Sequence, residues 1–134
     1  MSEENVEVVR AMYASLSAVT EGGDADYVVL AHFDPDCEYR PVEEIDAIHG
    51  REALIRYVER WLEAWADFRY ELDEIIDAGD LVVAGTTSHA RGSESGMWIT
   101  QPLFHVFEMR KGKILRMHEY LERGHAFEVA GLSE

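Results

Sequence analysis

The sequence has one cysteine and no long apolar run, and each of these scarcities excludes a class of protein. Cys37 has no second cysteine to pair with, so an intramolecular disulfide is excluded and a reducing compartment is expected. No apolar run approaches the roughly 20 residues that a membrane-spanning helix needs. The acidic N-terminus lacks the basic and apolar regions of a signal peptide, so we expect a cytoplasmic protein.

Basic residues are also scarce, since 12 Lys and Arg stand against 27 Asp and Glu, for a net charge of −15. Nucleic-acid binding depends on Lys and Arg at the phosphates, so we expect no nucleic-acid partner. An anionic membrane surface is disfavoured for the same reason. Apolar residues nevertheless make up 47% of the chain, enough for a core, and 134 residues suit a single domain over residues 1–134.

Three segments have apolar residues at helical spacing. The first predicted helix is capped by Ser2 and ends at Gly22-Gly23. Asp24 is the expected N-cap of a second helix over Ala25 to His32. The third begins at Arg51 and carries an apolar stripe formed by Leu54, Val58, Trp61, Leu62 and Trp65.

Strand patterns dominate the second half of the chain. After a short predicted strand at Cys37 to Arg40, an apolar alternation with a period of two begins beyond Asp67. Turn signals divide this region into four strands, predicted at residues 68–73, 81–91, 97–109 and 113–122, and residues 123–130 suit a last helical turn. Helices followed by an antiparallel meander indicate an α+β fold, in which a bent sheet around the helices could enclose a cavity.

The hairpin between the last two predicted strands indicates which side chains share a face. With a three-residue loop at residues 110–112, Met109 pairs with Lys113, and Leu103 lies opposite Glu119. Alternation then puts one set of side chains on the cavity face, namely Gln101, Leu103, His105, Phe107, Met117, Glu119 and Leu121. The opposite face carries Phe104, Val106 and Tyr120, and its apolar character predicts a homodimer.

Several short motifs, in order along the chain, resemble the NTF2-like superfamily and in particular its SnoaL-like branch. They are the segment Asp34 to Tyr39, the helix start Ile48 to Glu52, the segment Gly112 to Ile114, and the end of the chain from Glu119 to Leu132. The resemblance implies a cone of long helices packed on a strongly bent antiparallel sheet that encloses a pocket. The family includes isomerases, polyketide cyclases and non-catalytic modules, so the fold does not select the function.

The resemblance also places single residues. Tyr13 falls near an oxyanion-hole tyrosine of ketosteroid isomerases, and His105 takes the place of their second oxyanion donor. Arg40, before Pro41, stands where their catalytic aspartate belongs, so the usual isomerase machinery is not expected. In polyketide cyclases an acidic residue near the chain end is the acid or base, and either Glu119 or Glu122 could match it. Strand parity favours Glu119.

We therefore predict an apolar small-molecule pocket with Glu119, His105 and Tyr13 as catalytic candidates. Burial should raise the pKa of Glu119 toward neutral pH. The expected binding residues are Arg40, Trp61, Trp65, Leu103, Phe107, Met117 and Leu121. The scattered histidines predict no metal site, and no cofactor motif is present.

Two functions remain open from the sequence. The first is cofactor-free acid/base chemistry, namely isomerisation, cyclisation or dehydration, on a hydrophobic oxygenated ring-like substrate. The second is a non-catalytic ligand-binding or scaffold module, in which His105 and Tyr13 are core residues. In that alternative Glu119 simply pairs with Arg40.

Overall fold

The structure is a computed structural model that describes residues 2–20, 24–42 and 46–133, without the side chains of residues 2 and 20. Its ten elements follow in this order: α1 (Ser2–Thr20), α2 (Ala25–His32), β1 (Phe33–Arg40), β2 (Ile48–His49), α3 (Arg51–Ala64), β3 (Trp65–Ala78), β4 (Leu81–Gly92), β5 (Trp98–Arg110), β6 (Lys113–Tyr120) and α4 (Arg123–Val129). The predicted end of the first helix at Gly22-Gly23 lies outside the described residues.

One curved, unclosed sheet has the strand order β2-β1-β6-β5-β4-β3. Neighbouring strands are antiparallel except β1 and β6, which are parallel. Helices α1 to α3 pack on the concave face of the sheet, and α4 packs on the outer face. The predicted α+β class and cone-like architecture are confirmed.

Local sequence signals explain where the two inner helices begin. The carboxylate of Asp24 accepts a hydrogen bond from the backbone N–H of Asp26, so α2 begins at the predicted cap. Gly50 precedes α3 with φ of 86°, a left-handed value that disfavours side-chain-bearing residues. In α3, Leu54 and Val58 are buried as predicted, whereas Trp65 belongs to β3 instead of the helix.

The strand bounds differ from the predictions at several points. Strand β1 begins at Phe33 and runs through Pro35, where a register shift in its pairing with β6 accommodates the proline. The predicted loop before Gly50 contains the short strand β2, which pairs with β1. Strand β3 is longer than predicted, and β6 ends at Tyr120.

The β5–β6 hairpin has a two-residue turn, so the predicted three-residue loop is wrong. Arg110 pairs with Lys113 across Lys111 and Gly112, whose φ angles are 50° and 78°, as in a type I′ turn. A β-bulge then leaves Leu115 without a partner. Beyond the bulge His105 lies directly opposite Glu119, instead of Met117 as predicted. The two changes together shift the pairing by an even number, so the predicted faces are kept.

The outer face of the sheet is partly covered by α4. Val106 is 6% exposed because Ala126 and Phe127 of α4 pack against it, together with Val83 of β4. The guanidinium of Arg123 donates a 2.8 Å hydrogen bond to Glu74. Part of the apolar face from which we predicted a homodimer is therefore satisfied within the chain, and the homodimer stays a prediction.

Candidate functional site

A chain of three buried polar side chains crosses the concave face of the sheet. The hydroxyl of Tyr13 lies 2.6 Å from Nδ1 of His105, and Nε2 of His105 lies 2.7 Å from Oε2 of Glu119. Their exposed fractions are 5% for Tyr13, 0% for His105 and 7% for Glu119. The structure thus brings together the three predicted catalytic residues from α1, β5 and β6.

The hydrogen bonds fix the direction in which protons are donated. Burial, and next the negative charge of Glu119, raise the pKa of Tyr13 well above its ordinary value, so its hydroxyl keeps its proton. The Glu119 carboxylate can only accept, so Nε2 of His105 carries the hydrogen of that bond, and in the neutral imidazole Nδ1 then accepts from the Tyr13 hydroxyl. This arrangement holds one imidazole tautomer and aims it at Glu119.

Two further groups donate to the carboxylate of Glu119. The backbone N–H of Val42 lies 3.2 Å from Oε1, and the hydroxyl of Tyr39 lies 3.4 Å from Oε2. Burial raises the pKa of Glu119, but hydrogen bonds from His105, Val42 and Tyr39 outweigh burial and leave the pKa below its ordinary value. The predicted raised pKa is therefore wrong in direction, and Glu119 is a carboxylate at neutral pH.

Glu119 lies in the wall of a cleft of about 450 Å³, a volume typical of small-molecule sites. The other walls are mostly aromatic and aliphatic, with Ser88 and Gln101 as polar members. Of the predicted binding residues this cleft is lined by Trp61, Trp65, Leu103 and Leu121. His105 and Tyr13 are not in its lining, so within this hydrogen-bonded chain Glu119 is the group that faces the cleft.

A second, smaller pocket of about 50 Å³ lies under the helices and has an almost wholly apolar lining. Met117, a predicted binding residue, lines this inner pocket. Phe107 lines neither space, because it is fully buried in the core with its ring edge-on to Tyr13. The structure thus places Phe107 in the core and outside both spaces.

Arg40 is not part of the cleft either. It is exposed and pairs in register with His118, whose side chain points to the outer face. Its neighbour Tyr39 points inward and contacts Glu119 instead. Arg40 therefore does not pair with Glu119, because side chains alternate along β1 and Tyr39 takes the inward position. The alternation of polar and apolar residues along β1 is the sequence signal that could have suggested this. A role of Arg40 toward a substrate stays a prediction.

Position distinguishes the two acidic candidates near the end of the chain. Glu122 is exposed at the start of α4 and does not line the cleft, so of these two carboxylates Glu119 alone lies in the cleft wall. Within residues 2–20, 24–42 and 46–133, no group of three or more His, Cys, Asp or Glu side chains is arranged to hold a metal ion. None of the helices described here has the length and apolar character needed to cross a membrane.

A known protein family matches most of this chain. Residues 9–117 match the SnoaL-like domain, which covers the Tyr13 and His105 positions and most of the sheet. The chain belongs to the SnoaL-like family. The predicted resemblance is confirmed, and no curated protein sequence matches this SnoaL-like chain.

Solved structures share the fold of this SnoaL-like protein over nearly its whole length. An NTF2-like protein of unknown function from Burkholderia pseudomallei is 20% identical, with a TM-score of 0.77, and the match covers 95% of this chain and 97% of that one. TerC, co-crystallised with polyporic acid, is 23% identical, with a TM-score of 0.76 and coverage of 96% and 98%. A protein described as a SnoaL-like polyketide cyclase from Jannaschia sp. CCS1 is 17% identical, with a TM-score of 0.75 and coverage of 98% and 94%.

Proposed function

We propose that this SnoaL-like protein binds a hydrophobic, oxygenated, ring-like molecule in the cleft, and that Glu119 is a general base for cofactor-free chemistry on it. The observation that carries the proposal is the buried Tyr13–His105–Glu119 chain, of which only Glu119 reaches the cleft. A carboxylate held by several donors among apolar walls is oriented toward one point in the cleft, as a positioned base must be.

The chemistry begins with a carbon acid next to a carbonyl group. Glu119 takes the proton from that carbon, and the electron pair moves to the carbonyl oxygen as an enolate. Return of the proton from Glu119 to another carbon completes an isomerisation. Attack of the enolate on a second carbonyl closes a ring, and the proton then passes to the new alkoxide. In a dehydration the same proton goes to a β-hydroxyl group, which leaves as water while the enolate collapses to the unsaturated carbonyl compound. Gln101 lines the same cleft and has an amide that can donate to a substrate oxygen.

His105 and Tyr13 are positioning residues in this proposal. His105 donates to Oε2 of Glu119 and is itself held by Tyr13. When Glu119 takes a proton, the imidazole N–H keeps the carboxyl group in place, so the group is aimed for the return step. The aromatic walls of the cleft exclude water and favour a planar apolar substrate.

Deuterium exchange at the α-carbon of a simple cyclic ketone tests the base without knowledge of the natural substrate. We expect the protein to catalyse exchange into 2-tetralone in D₂O, followed by NMR, and Glu119→Gln to lower the rate about 100-fold or more. Glu122→Gln is the matched control, because Glu122 is exposed and lies outside the cleft lining. Equal exchange rates for the wild type and Glu119→Gln would show that Glu119 is not the base.

A non-catalytic binding module is the second candidate. The observation that favours it is that Glu119 already accepts hydrogen bonds from His105, Val42 and Tyr39, as a structural buried carboxylate does. TerC shares the fold and was crystallised with polyporic acid, which makes polyporic acid a suitable first ligand for a thermal-shift screen. A ligand-induced shift without any exchange activity would support this module over the enzyme.

A further inference from the structure

Three aromatic residues are shared by the cleft and the inner pocket. Tyr39, Trp61 and Tyr70 line both spaces, and we refer to these three side chains as the aromatic partition. Tyr39 comes from β1, Trp61 from α3 and Tyr70 from β3, so three different elements contribute to it. The cleft and the inner pocket therefore adjoin at these residues.

The aromatic partition meets β6 beside the candidate base. Met117 lines the inner pocket and Glu119 lines the cleft, and both side chains point to the concave face of the same strand. Residues two apart on one strand are separated by about 7 Å. When one atom of a bound ring contacts Glu119, a substituent on the neighbouring ring atom can therefore reach the inner pocket.

The inner pocket is suited to a short hydrocarbon group. Its walls include Met12, Val28, Val29 and Leu54, all at most 3% exposed. Its volume of about 50 Å³ accommodates about four groups of the size of a water molecule, at 10–15 Å³ each. Water gains few hydrogen bonds from such walls, whereas a chain of three or four carbon atoms fits them.

We propose that the inner pocket binds a short alkyl arm of the ligand, and that the ring of Tyr39 moves aside to admit it. This inference rests on the proposed function, since the oxygenated ring of the ligand then lies in the cleft at Glu119. The Tyr39 hydroxyl is 3.4 Å from Oε2, the longest of the contacts from Val42, His105 and Tyr39, and is therefore the least costly to break. Its departure frees an acceptor position on Glu119 for the ligand.

Isomeric alkylphenols test this arrangement by calorimetry. The phenol hydroxyl can donate to Glu119, and an alkyl group in the 2-position points along β6 toward the inner pocket. We expect affinity to rise about fourfold for each added carbon from 2-methylphenol to 2-propylphenol, as for burial of one methylene, and then to level off. The 4-alkyl isomers are equally hydrophobic but direct the chain into the open cleft, so their affinity should rise less steeply. Equal slopes for the two series would overturn the proposal.

Filling the inner pocket should remove the advantage of the 2-alkyl series. Leu16 and Val58 line the inner pocket only, so Leu16→Phe and Val58→Ile are two independent variants, each checked for folding by its melting temperature. Leu30→Phe is the matched control, because Leu30 lines neither space and is 49% exposed. Leu121→Phe tests the alternative position of the alkyl arm, because Leu121 lines only the cleft. We expect 2-propylphenol to bind at least tenfold more weakly to Leu16→Phe, with 4-propylphenol unchanged. A loss of similar size in Leu121→Phe alone would place the alkyl arm in the cleft and refute the inference.

Xenon gives a readout that does not depend on Glu119. We expect crystals under xenon pressure to show the gas in the inner pocket of the wild type and of Glu119→Gln, and not in Leu16→Phe. Xenon in the pocket together with equal 2-alkyl and 4-alkyl affinities would overturn the alkyl-arm proposal, as would a pocket without xenon. Failure of the proposed function is seen separately, as exchange rates that Glu119→Gln leaves unchanged.

Discussion

Replacing Tyr13 by Phe removes one hydroxyl from the centre of the site and leaves the ring in place. The hydroxyl makes a 2.6 Å hydrogen bond to His105, whose side chain is 0% exposed, so no solvent can replace it. The lost bond and the unpaired acceptor on Nδ1 together cost about 1–3 kcal/mol. The edge-on contacts of the ring with Tyr70 and Phe107, at centroid distances of 5.5 and 6.1 Å, are kept. We therefore expect the free energy of unfolding to fall by about 1–3 kcal/mol.

Urea unfolding of Tyr13→Phe beside Tyr27→Phe measures this cost. Tyr27 is 60% exposed, so the loss of its hydroxyl should change the free energy of unfolding by less than about 0.5 kcal/mol. A change in Tyr13→Phe as small as that in Tyr27→Phe would refute the reasoning, because it would mean that His105 does not depend on Tyr13 for a hydrogen bond.

A double-mutant cycle shows whether Tyr13 acts through His105 on Glu119. Tyr13 hydrogen-bonds to one ring nitrogen of His105 and Glu119 to the other. Residues that share a partner in this way are expected to have a coupling energy of about 0.5–3 kcal/mol. Additive effects of Tyr13→Phe and Glu119→Gln, on stability and on the exchange rate alike, would show that Tyr13 does not act on Glu119 through His105.

Two further predictions concern the stability of the protein at acid pH and the packing of α4 on the outer face of the sheet. Hydrogen bonds from the protein hold the pKa values of Glu38 and Glu119 below their ordinary 4.5, so their stabilising contributions are present above that pH and are lost as the pH falls through the folded-state values. Urea midpoints should therefore decrease below pH 4.5, and constant midpoints would contradict the assignment. Phe127→Ala should lower the free energy of unfolding by about 3–5 kcal/mol, because Phe127 is 4% exposed, whereas Val129→Ala, at 47% exposure, should change little.

The fold follows from the sequence where its signals are local. Asp24 caps α2 and the apolar spacing of α3 buries Leu54 and Val58, since each depends on neighbours within one or two turns. Strand β1 was missed in part because its partner β6 lies some 80 residues away and the two strands are parallel. No local periodicity encodes that pairing, and Pro35 opposes a strand assignment unless the register shift is known.

The site was predictable to a similar degree. Alternation along β5 and β6 placed His105 and Glu119 on one face, and resemblance to the family pointed to Tyr13. Alternation along β1 could also have placed Tyr39 and Arg40 on opposite faces, but the contact of Tyr39 with Glu119 depends on how β1 lies against β6. The direction in which the pKa of Glu119 shifts also depends on Val42 and Tyr39, which reach the carboxylate only in the folded chain.

The β-bulge at Leu115 determines which chemical group the pocket receives. Without this bulge the pairing of Arg110 with Lys113 would continue unchanged, and His118 instead of Glu119 would lie opposite His105. A hairpin that kept Leu115 but paired it regularly would thus put an imidazole where the cleft has a carboxylate. Deletion of Leu115 would instead keep His105 opposite Glu119, because the remaining residues already pair in that register.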